Sequence, residues 1–373
     1  MATLFDPVEI GSISCQNRIF MAPLTRARGT RDGLATPIMV DYYAQRASAG
    51  LIISEAIAVD RQGYGWLNTT GLWNEHQVDS WKPVVKAVHD RGGKIVAQLW
   101  HMGRMGYHTI SGEPTVSCSP TTPPGFAHQA TGKVPYDQAK ELTIPEIKAI
   151  VKDFGLAARH AIEAGFDGVQ IHGANGYLID QFLRDSTNLR KDEYGGSPEN
   201  RIRFLREVTE SVIAAIGKER TGVRLSPNGE IQGCVDSDPA KVFIPAAAML
   251  QELGVAWIGL REARPGDTFD MAPPTDQPPL SPEIRKVFHG KLVLNGDYTL
   301  EEAEKAVQGG AADAISWGRL WITNPDLVAR FKNHLKLETA QEPTIWYAAY
   351  TTDKARGYTD YPLADGKPAQ PQP

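Results

Sequence analysis

The chain has 373 residues, of which 42% are hydrophobic and 22% charged, so it can bury a sizeable core in one domain or in two. Its formal net charge of −5 argues against nucleic acid or an anionic membrane as a partner, because both favour a basic face. Three widely spaced cysteines without a Cys-x-x-Cys pair indicate neither a disulfide framework nor a structural zinc site. The first residues lack the pattern of a signal peptide, and we expect a cytoplasmic protein.

One unit recurs along the chain: an amphipathic helix pattern, a glycine where the helix should end, and a short apolar strand. Two of the helices begin with a Thr-x-x-Glu capping box, at Thr143 and Thr299. Strands are predicted at residues 18–22, 51–56, 94–99, 169–172, 222–226, 255–260, 291–295 and 314–317. Eight strands separated by helices predict an α/β fold, and eight is the number that closes a (β/α)₈ TIM barrel. The alternative is an open doubly wound sheet, but a dinucleotide-binding sheet would carry a Gly-x-Gly-x-x-Gly fingerprint, which the chain lacks.

Polar residues gather at the later end of nearly every predicted strand. In a barrel of this kind the carboxyl ends of the strands form one rim, and that rim carries the active site. We therefore expect one rim to bring together Thr25, Glu55, Gln98, His172, Arg224, Arg261, Asn295 and Arg319.

The stretch at residues 165–182 combines a short buried strand with three hydrogen-bonding side chains. His172, Asn175 and Tyr177 come directly after the apolar residues of the strand. The imidazole and the amide can donate hydrogen bonds, and the phenol is a weak acid with a pKa of about 10. Such a set can polarise a substrate oxygen while a neighbouring carbon takes a proton. A helix-capping asparagine and a half-buried tyrosine would explain the same residues without any chemistry.

Glycines follow the last two predicted strands, in Asn295-Gly296 and in Trp317-Gly318-Arg319. Barrels often bind phosphate at these two places, where glycine lets backbone N–H groups approach and an arginine adds charge. Glycine turns with a surface arginine are the plainer interpretation, but the coincidence at both places favours phosphate. A phosphate site without a dinucleotide motif points to a mononucleotide cofactor across the mouth of the barrel.

Two segments interrupt the repeated unit. Residues 101–142, rich in Pro, Gly, Ser and Thr, are predicted to leave the barrel after the third strand and to cover the rim. The proline-rich residues 264–279 are a second candidate lid. We expect a single domain over residues 1–365 with an N-terminal cap, followed by a disordered tail at 366–373, which has no large apolar residue.

Several separated motifs resemble the old yellow enzyme family of flavin-dependent ene-reductases. The match runs from residues 4–7 (LFDP) to 357–362 (GYTDYP), nearly the whole chain. The most specific motifs are at 21–26 (MAPLTR), 54–56 (SEA), 98–104 (QLWHMGR), 165–182, 184–188 (RDSTN) and 192–197 (DEYGGS). The resemblance implies a barrel that holds FMN without a covalent bond and takes hydride from NADPH or NADH. It also implies ping-pong reduction of activated alkenes, namely α,β-unsaturated aldehydes, ketones and maleimides.

The resemblance also implies residue roles. The residues in contact with the flavin ring would be Pro23, Leu24, Thr25, Ala56 and Gln98. Arg224 would stabilise the anionic reduced flavin near N1 and O2. The phosphate would be held by Asn295, Gly296, Gly318 and Arg319. His172 and Asn175 would bind the substrate oxygen, and Tyr177 would protonate the carbon alpha to the activating group. The walls of the pocket would be Trp66, Trp100 and Tyr358.

Two family variants can be recognised. Thr25 stands where another subgroup has a cysteine, and the pair formed by His172 and Asn175 replaces the two histidines of some members. No catalytic metal is expected, because His172 lacks a second histidine at i+4. A flavin-free isomerase or lyase acting on a phosphate substrate, and a flavin carrier without catalysis, remain alternatives. We expect a monomer or a homodimer.

Overall fold

A closed ring of parallel strands forms the centre of the molecule. The computed structural model describes residues 1–129, 132–263, 275–339, 346–347, 353–367 and 369. The barrel strands are β1 (Ile19–Met21), β2 (Ile52–Ala58), β3 (Ile95–Trp100), β4 (Gly168–Gly173), β5 (Thr221–Leu225), β6 (Trp257–Arg261), β7 (Lys291–Asn295) and β8 (Ala314–Trp317). Each strand pairs in parallel with its neighbours in chain order, and β8 returns to β1. The predicted (β/α)₈ barrel is confirmed, with strand ends displaced by one or two residues.

A helix follows each barrel strand and packs outside the ring. These helices are α1 (Pro37–Gln45), α2 (Glu75–His89), α3 (Ile144–Glu163), α4 (Pro198–Ile216), α5 (Ala240–Leu253), α6 (Ser281–Val287), α7 (Leu300–Gln308) and α8 (Leu327–Lys332). Both predicted capping boxes form: Thr143 caps α3 with Glu146, and Thr299 caps α7 with Glu302. Shorter helical turns lie in the loops, at Gly103–Met105, His108–Ser111, Leu178–Leu183, Lys218–Arg220 and Arg319–Thr323.

An N-terminal hairpin closes the amino end of the barrel. Its strands, Val8–Ile10 and Ile13–Cys15, pair antiparallel. The Ser12 backbone N–H donates to the Glu219 carbonyl, just before β5, at 3.1 Å. The apolar side of the hairpin joins a core cluster that includes Trp257 at the start of β6. The hairpin is therefore the predicted N-terminal cap, and it leaves the carboxyl ends of the strands open.

The long connection between β3 and α3 lies at the carboxyl end of the barrel. It holds two short paired strands, Val116–Ser117 and Lys140–Glu141, and an antiparallel hairpin of Phe126–Gln129 with Gly132–Pro135. Tyr136 of this connection packs against a buried cluster that contains Trp100 and Tyr177. The predicted excursion over the rim is thereby confirmed.

Two sequence predictions fall largely outside the described part of the chain. Residues 264–274 of the second candidate lid are not covered, nor is most of the tail at 366–373. Among the described helices, none is long and apolar enough to cross a membrane.

Candidate active site

One cavity opens at the carboxyl ends of the barrel strands, and almost all the predicted site residues line it. The predicted residues in its wall are Pro23, Leu24, Thr25, Ala56, Trp66, Gln98, Trp100, His172, Asn175, Tyr177, Arg224, Asn295, Gly296, Gly318 and Arg319. Gln98 and Trp100 are two apart on β3, so the alternation of a strand sends both side chains to the same side. The remaining residues come from the other strands or the loops that follow them, which explains why residues distant in sequence meet here.

Three aromatic rings make one wall of the cavity. The His172 and Tyr177 ring centroids are 5.0 Å apart in an edge arrangement, and Trp100 lies 4.7 Å from Tyr177. Trp100 also stacks beside His172 at 6.2 Å. His172 Nδ1 and Asn175 Oδ1 are buried and have no hydrogen-bond partner among the described residues. Buried polar atoms are usually paired, so these two point to a bound molecule.

The backbone after β4 aims Asn175 into the cavity. Asn175 has a φ of 60°, in the left-handed region that Asn tolerates better than most residues. Its N–H donates to the Ser226 hydroxyl at 2.8 Å, and the N–H of Gly176 donates to the Asp180 carboxylate at 2.8 Å. Asp180 in turn forms an ion pair with Arg184 at 2.9 Å, with both side chains fully buried. The buried carboxylate of Asp180 therefore fixes the backbone of the loop that carries Asn175.

The environment sets the protonation of the two ring groups. Burial, with a smaller effect of the Arg224 charge, holds the pKa of His172 well below its ordinary value of 6.5. Burial also raises the pKa of Tyr177 above its ordinary value of 10. At neutral pH the wall therefore presents an uncharged imidazole and a phenol that keeps its proton.

The part of the cavity next to His172, on the neighbouring strand, is cationic. Arg224 on β5 is buried and donates to the Asn295 side-chain oxygen at 2.6 Å, and its Nε has no partner among the described residues. Burial lowers the pKa of Arg224 to about 9, with a further effect of Arg261, so the guanidinium is still charged at neutral pH. A buried cation without a carboxylate partner is costly, and an anionic ligand would compensate it.

The predicted phosphate residues lie together at the ends of β7 and β8. The Asn295 amide donates to the Ser316 carbonyl at 2.7 Å, and Arg319 forms an ion pair with Asp297. A Cβ added at Gly318 would lie 3.2 Å from Leu24, so a side chain would crowd the cavity wall. Together with the partly unsatisfied Arg224, these residues fit FMN, whose ring carries negative charge when reduced and whose tail is a phosphate.

Two residues, one predicted as a pocket wall and one predicted at the rim, lie outside the cavity wall. Tyr358 does not line the cavity: it is fully buried and stacks on Tyr42 with ring centroids 4.0 Å apart. The guanidinium of Arg28 lies 4.5 Å from the centre of the Tyr358 ring. Glu55 also lies outside the cavity wall, where its backbone N–H donates to the Tyr43 hydroxyl of α1 at 2.8 Å. The prediction of a rim position for Glu55 was wrong, because the neighbouring residue on β2 is the one that faces the cavity.

Several lining residues were not given a role by the sequence. Trp346 and Tyr347 line the cavity, and the Tyr347 ring lies 5.2 Å from the ring of Trp66. Arg26, inside a recognised motif, also lines the cavity and donates to the carbonyl of Trp346 at 3.0 Å. The only sequence signal for the C-terminal pair is two adjacent aromatics, which have no periodic pattern.

The barrel and its cationic cavity fit a flavin-dependent oxidoreductase. Residues 3–338 match the NADH:flavin oxidoreductase / NADH oxidase family, and the chain belongs to that family. The chain is 57% identical to the old yellow enzyme homologue of Zymomonas mobilis, with a TM-score of 0.93, over 97% of this chain and 100% of that one.

Two further relatives agree with this assignment. Morphinone reductase, solved in complex with tetrahydroNAD, is 38% identical, with a TM-score of 0.89, over 97% of this chain and 98% of that one. The putative 12-oxophytodienoate reductase 4 of Oryza sativa subsp. japonica is 40% identical over 98% of this chain and 94% of its own length. The resemblance to old yellow enzymes is confirmed: the chain is an FMN-dependent NAD(P)H oxidoreductase of the ene-reductase type. The flavin-free isomerase and the non-catalytic flavin carrier do not describe it.

Proposed function

We propose that this enzyme reduces the C=C bond of α,β-unsaturated aldehydes, ketones and maleimides, and that Tyr177 is its proton donor. Bound FMN supplies the hydride chemistry, between the nicotinamide nucleotide and the alkene. The observation that carries the proposal is the position of a protonated phenol 5.0 Å, between ring centroids, from His172, whose buried Nδ1 has no partner among the described residues, in a cavity that Asn175 also lines. An activated alkene needs both features, a bound oxygen and a nearby acid.

His172 and Asn175 bind and polarise the activating oxygen of the substrate. The imidazole is neutral, so it donates a hydrogen bond through whichever ring nitrogen carries its proton, without adding charge. The amide of Asn175 donates from a backbone position fixed by Ser226. His172 is buried and Asn175 is partly buried, and donors in a water-poor site stabilise developing negative charge strongly. Polarisation makes the beta carbon electrophilic, and the alpha carbon becomes basic once the beta carbon has accepted a hydride.

Tyr177 completes the reduction. Its raised pKa keeps the proton on the phenol until the alpha carbon becomes basic enough to take it. The edge contacts with Trp100 and His172 fix the ring beside the oxygen-binding pair. The proton therefore passes from Tyr177 Oη to the alpha carbon, and solvent restores it afterwards.

The other lining residues would hold the cofactor. Contact with the flavin ring is assigned to Pro23, Leu24, Thr25, Ala56 and Gln98, and the phosphate to Asn295, Gly296, Gly318 and Arg319. The charge of Arg224 would balance the reduced ring. NADPH or NADH and the alkene would use the same cavity in turn, which leads to ping-pong kinetics. Morphinone reductase, of the same fold, has been solved with tetrahydroNAD, which supports a nicotinamide partner.

The Tyr177→Phe variant tests the proposal. Stopped-flow measurements on the holoenzyme should show unchanged flavin reduction by NADPH, because the phenol is not needed for that half-reaction. Reoxidation by 2-cyclohexenone should be slower by about a hundredfold, the usual contribution of a general acid. Tyr194→Phe is the matched control, since this buried phenol donates to Glu207 of α4 and lies outside the cavity wall. Equal reoxidation rates in wild type and Tyr177→Phe would remove Tyr177 from the mechanism.

A further inference from the structure

A β-bulge in β2 fixes the backbone of Gln98. Two residues of β2, Ser54 and Glu55, lie opposite a single residue of β3, Ala97. The Gln98 backbone N–H donates to the Ser54 hydroxyl at 3.0 Å, and this hydroxyl donates to the Glu55 carbonyl at 2.7 Å. Bulges beside active sites often redirect a side chain. The bulge therefore holds Gln98 at a position where its side chain lines the cavity.

The side chain of Gln98 is bonded to a second glutamine on the next strand. Gln98 on β3 and Gln170 on β4 are paired in register, so their side chains point to the same side of the sheet. The Gln98 amide nitrogen donates to the side-chain oxygen of Gln170 at 2.9 Å, and each residue is only 1% exposed. Gln170 itself is not part of the cavity wall. It is therefore placed to act on a bound ligand only through Gln98.

The barrel leaves room for the amide of Gln170. A Cβ added at Gly259 of β6 would lie 3.1 Å from the amide nitrogen of Gln170, closer than most real contacts of a Cβ. Glycine at this position therefore allows the Gln170 side chain to extend towards β6. The side-chain oxygen of Gln170 then remains available to Gln98.

This hydrogen bond decides which atoms Gln98 presents to the cavity. A glutamine amide has one carbonyl acceptor and two N–H donors, and Gln170 takes one of the donors. A carbonyl oxygen and one N–H remain. A half-turn of the Gln98 amide would bring two carbonyl oxygens together and break the bond. The uracil-like edge of a flavin carries N3–H between two carbonyl oxygens, so it is complementary to a fixed pair of one acceptor and one donor.

We propose that Gln170 is a positioning residue for the cofactor, which orients the Gln98 amide so that its carbonyl oxygen accepts a hydrogen bond from N3–H of FMN. The inference rests on the contact between Gln98 and the flavin ring given under the proposed function. The bulge at Ser54 and the space at Gly259 support it, because they place the two amides within bonding distance.

Two substitutions of Gln170 test the orientation. Gln170→Met keeps the length of the side chain and removes the acceptor, whereas Gln170→Glu keeps an acceptor oxygen. The full-length holoenzyme is loaded with FMN, and Kd is measured from the fluorescence of the flavin released on dilution. We expect Gln170→Met to raise the Kd about 3- to 10-fold, the effect of one neutral hydrogen bond. Gln170→Glu should stay within about twofold of wild type, because the acceptor is kept.

A flavin without the N3 proton separates a positioning role from a structural one. In 3-methyl-FMN a methyl group replaces that proton, so the oriented carbonyl of Gln98 has nothing to bind. Gln170→Met should then change the Kd of 3-methyl-FMN by less than about 1.5-fold, since no hydrogen bond is left to lose. Equal weakening of both flavins, unchanged FMN affinity in Gln170→Met, or a Gln170→Glu variant as weak as Gln170→Met would overturn the inference. Gln170→Leu replaces Gln170→Met if the latter folds poorly, with the same expected result.

Gln98→Met distinguishes this inference from the proposed function. It should itself weaken FMN binding, and Gln170→Met added to it should have no further effect. If Gln98→Met leaves the Kd of FMN unchanged, the assignment of Gln98 to the flavin ring fails, which is a different result from failure of Gln170 alone. Gln77→Met is the matched control, since this buried glutamine of α2 lies outside the cavity wall. It should leave the affinity for both flavins unchanged, and weakening by Gln77→Met equal to that by Gln170→Met would overturn the inference.

Discussion

Glu55 and Ala56 are consecutive residues of β2 in opposite environments. Ala56 lines the cavity, whereas Glu55 is buried outside its wall, near the hydroxyl of Tyr43. Burial raises the pKa of Glu55 to about 8, and the charges of Arg26 and Arg28 only partly oppose this effect. In the folded protein at neutral pH the carboxyl group is therefore mostly protonated.

Replacing Glu55 with glutamine should flatten the pH dependence of stability. The unfolded chain ionises this group near its ordinary pKa of 4.5, whereas the folded protein keeps the proton up to about 8. The protonated carboxyl group therefore contributes its full stabilisation below pH 4.5, and this contribution to the free energy of unfolding is lost as the pH rises from 4.5 to about 8. The loss is at most about 1.4 kcal/mol per pH unit. Glutamine has no proton to lose. The stability of Glu55→Gln relative to wild type should increase from pH 5 to pH 8 in urea unfolding, and parallel pH curves for the two proteins would contradict this.

At the residue scale, polar residues at strand ends predicted the polar part of the cavity lining, and the family resemblance supplied the apolar part, such as Leu24, Ala56 and Trp100. The sequence does not show whether the side chain of Glu55 points into the cavity or away from it, since β2 is buried on both sides and shows no alternation of polarity. It also assigned Tyr358 to the cavity, although two arginines and Tyr42 hold that ring elsewhere. Trp346 and Tyr347 were missed because their position depends on long-range contacts such as the one with Arg26.

At the scale of elements, one buried ion pair joins the loops that follow β4 and β5. Asp180 accepts hydrogen bonds from the Gly176 backbone and from the Ser226 hydroxyl, the latter at 3.3 Å. Arg184 donates to carbonyls after β5, those of Ser226 and Gly229. The backbone that carries Asn175 is thus tied to the neighbouring loop through this pair.

Removing one partner should damage both the fold and the site. Asp180→Ala leaves the Arg184 charge buried without compensation, which costs about 3–5 kcal/mol of unfolding free energy. It also removes the anchor of Gly176, next to Asn175, so the affinity for p-chlorophenol, used as a probe of the proposed oxygen-binding pair His172 and Asn175, should fall. Glu301→Ala breaks an ion pair of the same i,i+4 spacing on exposed α7, and should change neither stability nor affinity measurably. Chemical unfolding and phenol titration check both variants, and equal effects of the two substitutions would refute the argument.

Regular elements were easier to predict than the irregular ones. The helices and barrel strands follow from apolar periodicity, from glycines at helix ends and from the capping boxes at Thr143 and Thr299. The strands inside the long connection, such as Val116–Ser117, are two to four residues long. A pattern that short carries no period, and these strands form because tertiary contacts bring their partners together.

At the scale of the whole molecule, the cavity lies at the carboxyl ends of the barrel strands, so a bound ligand would contact residues from many of the strands. A ligand that binds only the folded protein adds about 2.7 kcal/mol of stability at a hundredfold excess over its Kd. The cofactor should therefore be a major contributor to the stability of this chain.

FMN and riboflavin should stabilise the flavin-free protein to different extents. Both have the same ring, but riboflavin lacks the phosphate assigned to Arg319 and Asn295. Thermal unfolding of protein freed of its flavin should show Tm raised by several degrees with FMN and clearly less with riboflavin at the same concentration. Arg319→Ala should reduce the FMN effect towards that of riboflavin and leave the riboflavin effect unchanged. Identical shifts with the two flavins would place the phosphate outside these residues.

One pair of neighbouring barrel strands is joined by fewer residue pairs than the other neighbours. β1 and β2 share a single residue pair, Met21 with Ile52, whereas the other neighbouring barrel strands share three to five. Just beyond that junction, Thr25 on one side and Ala56 on the other face the cavity. A flat ring in contact with both residues would connect the two barrel strands that share the fewest backbone pairs. The cofactor would therefore stabilise the barrel that binds it.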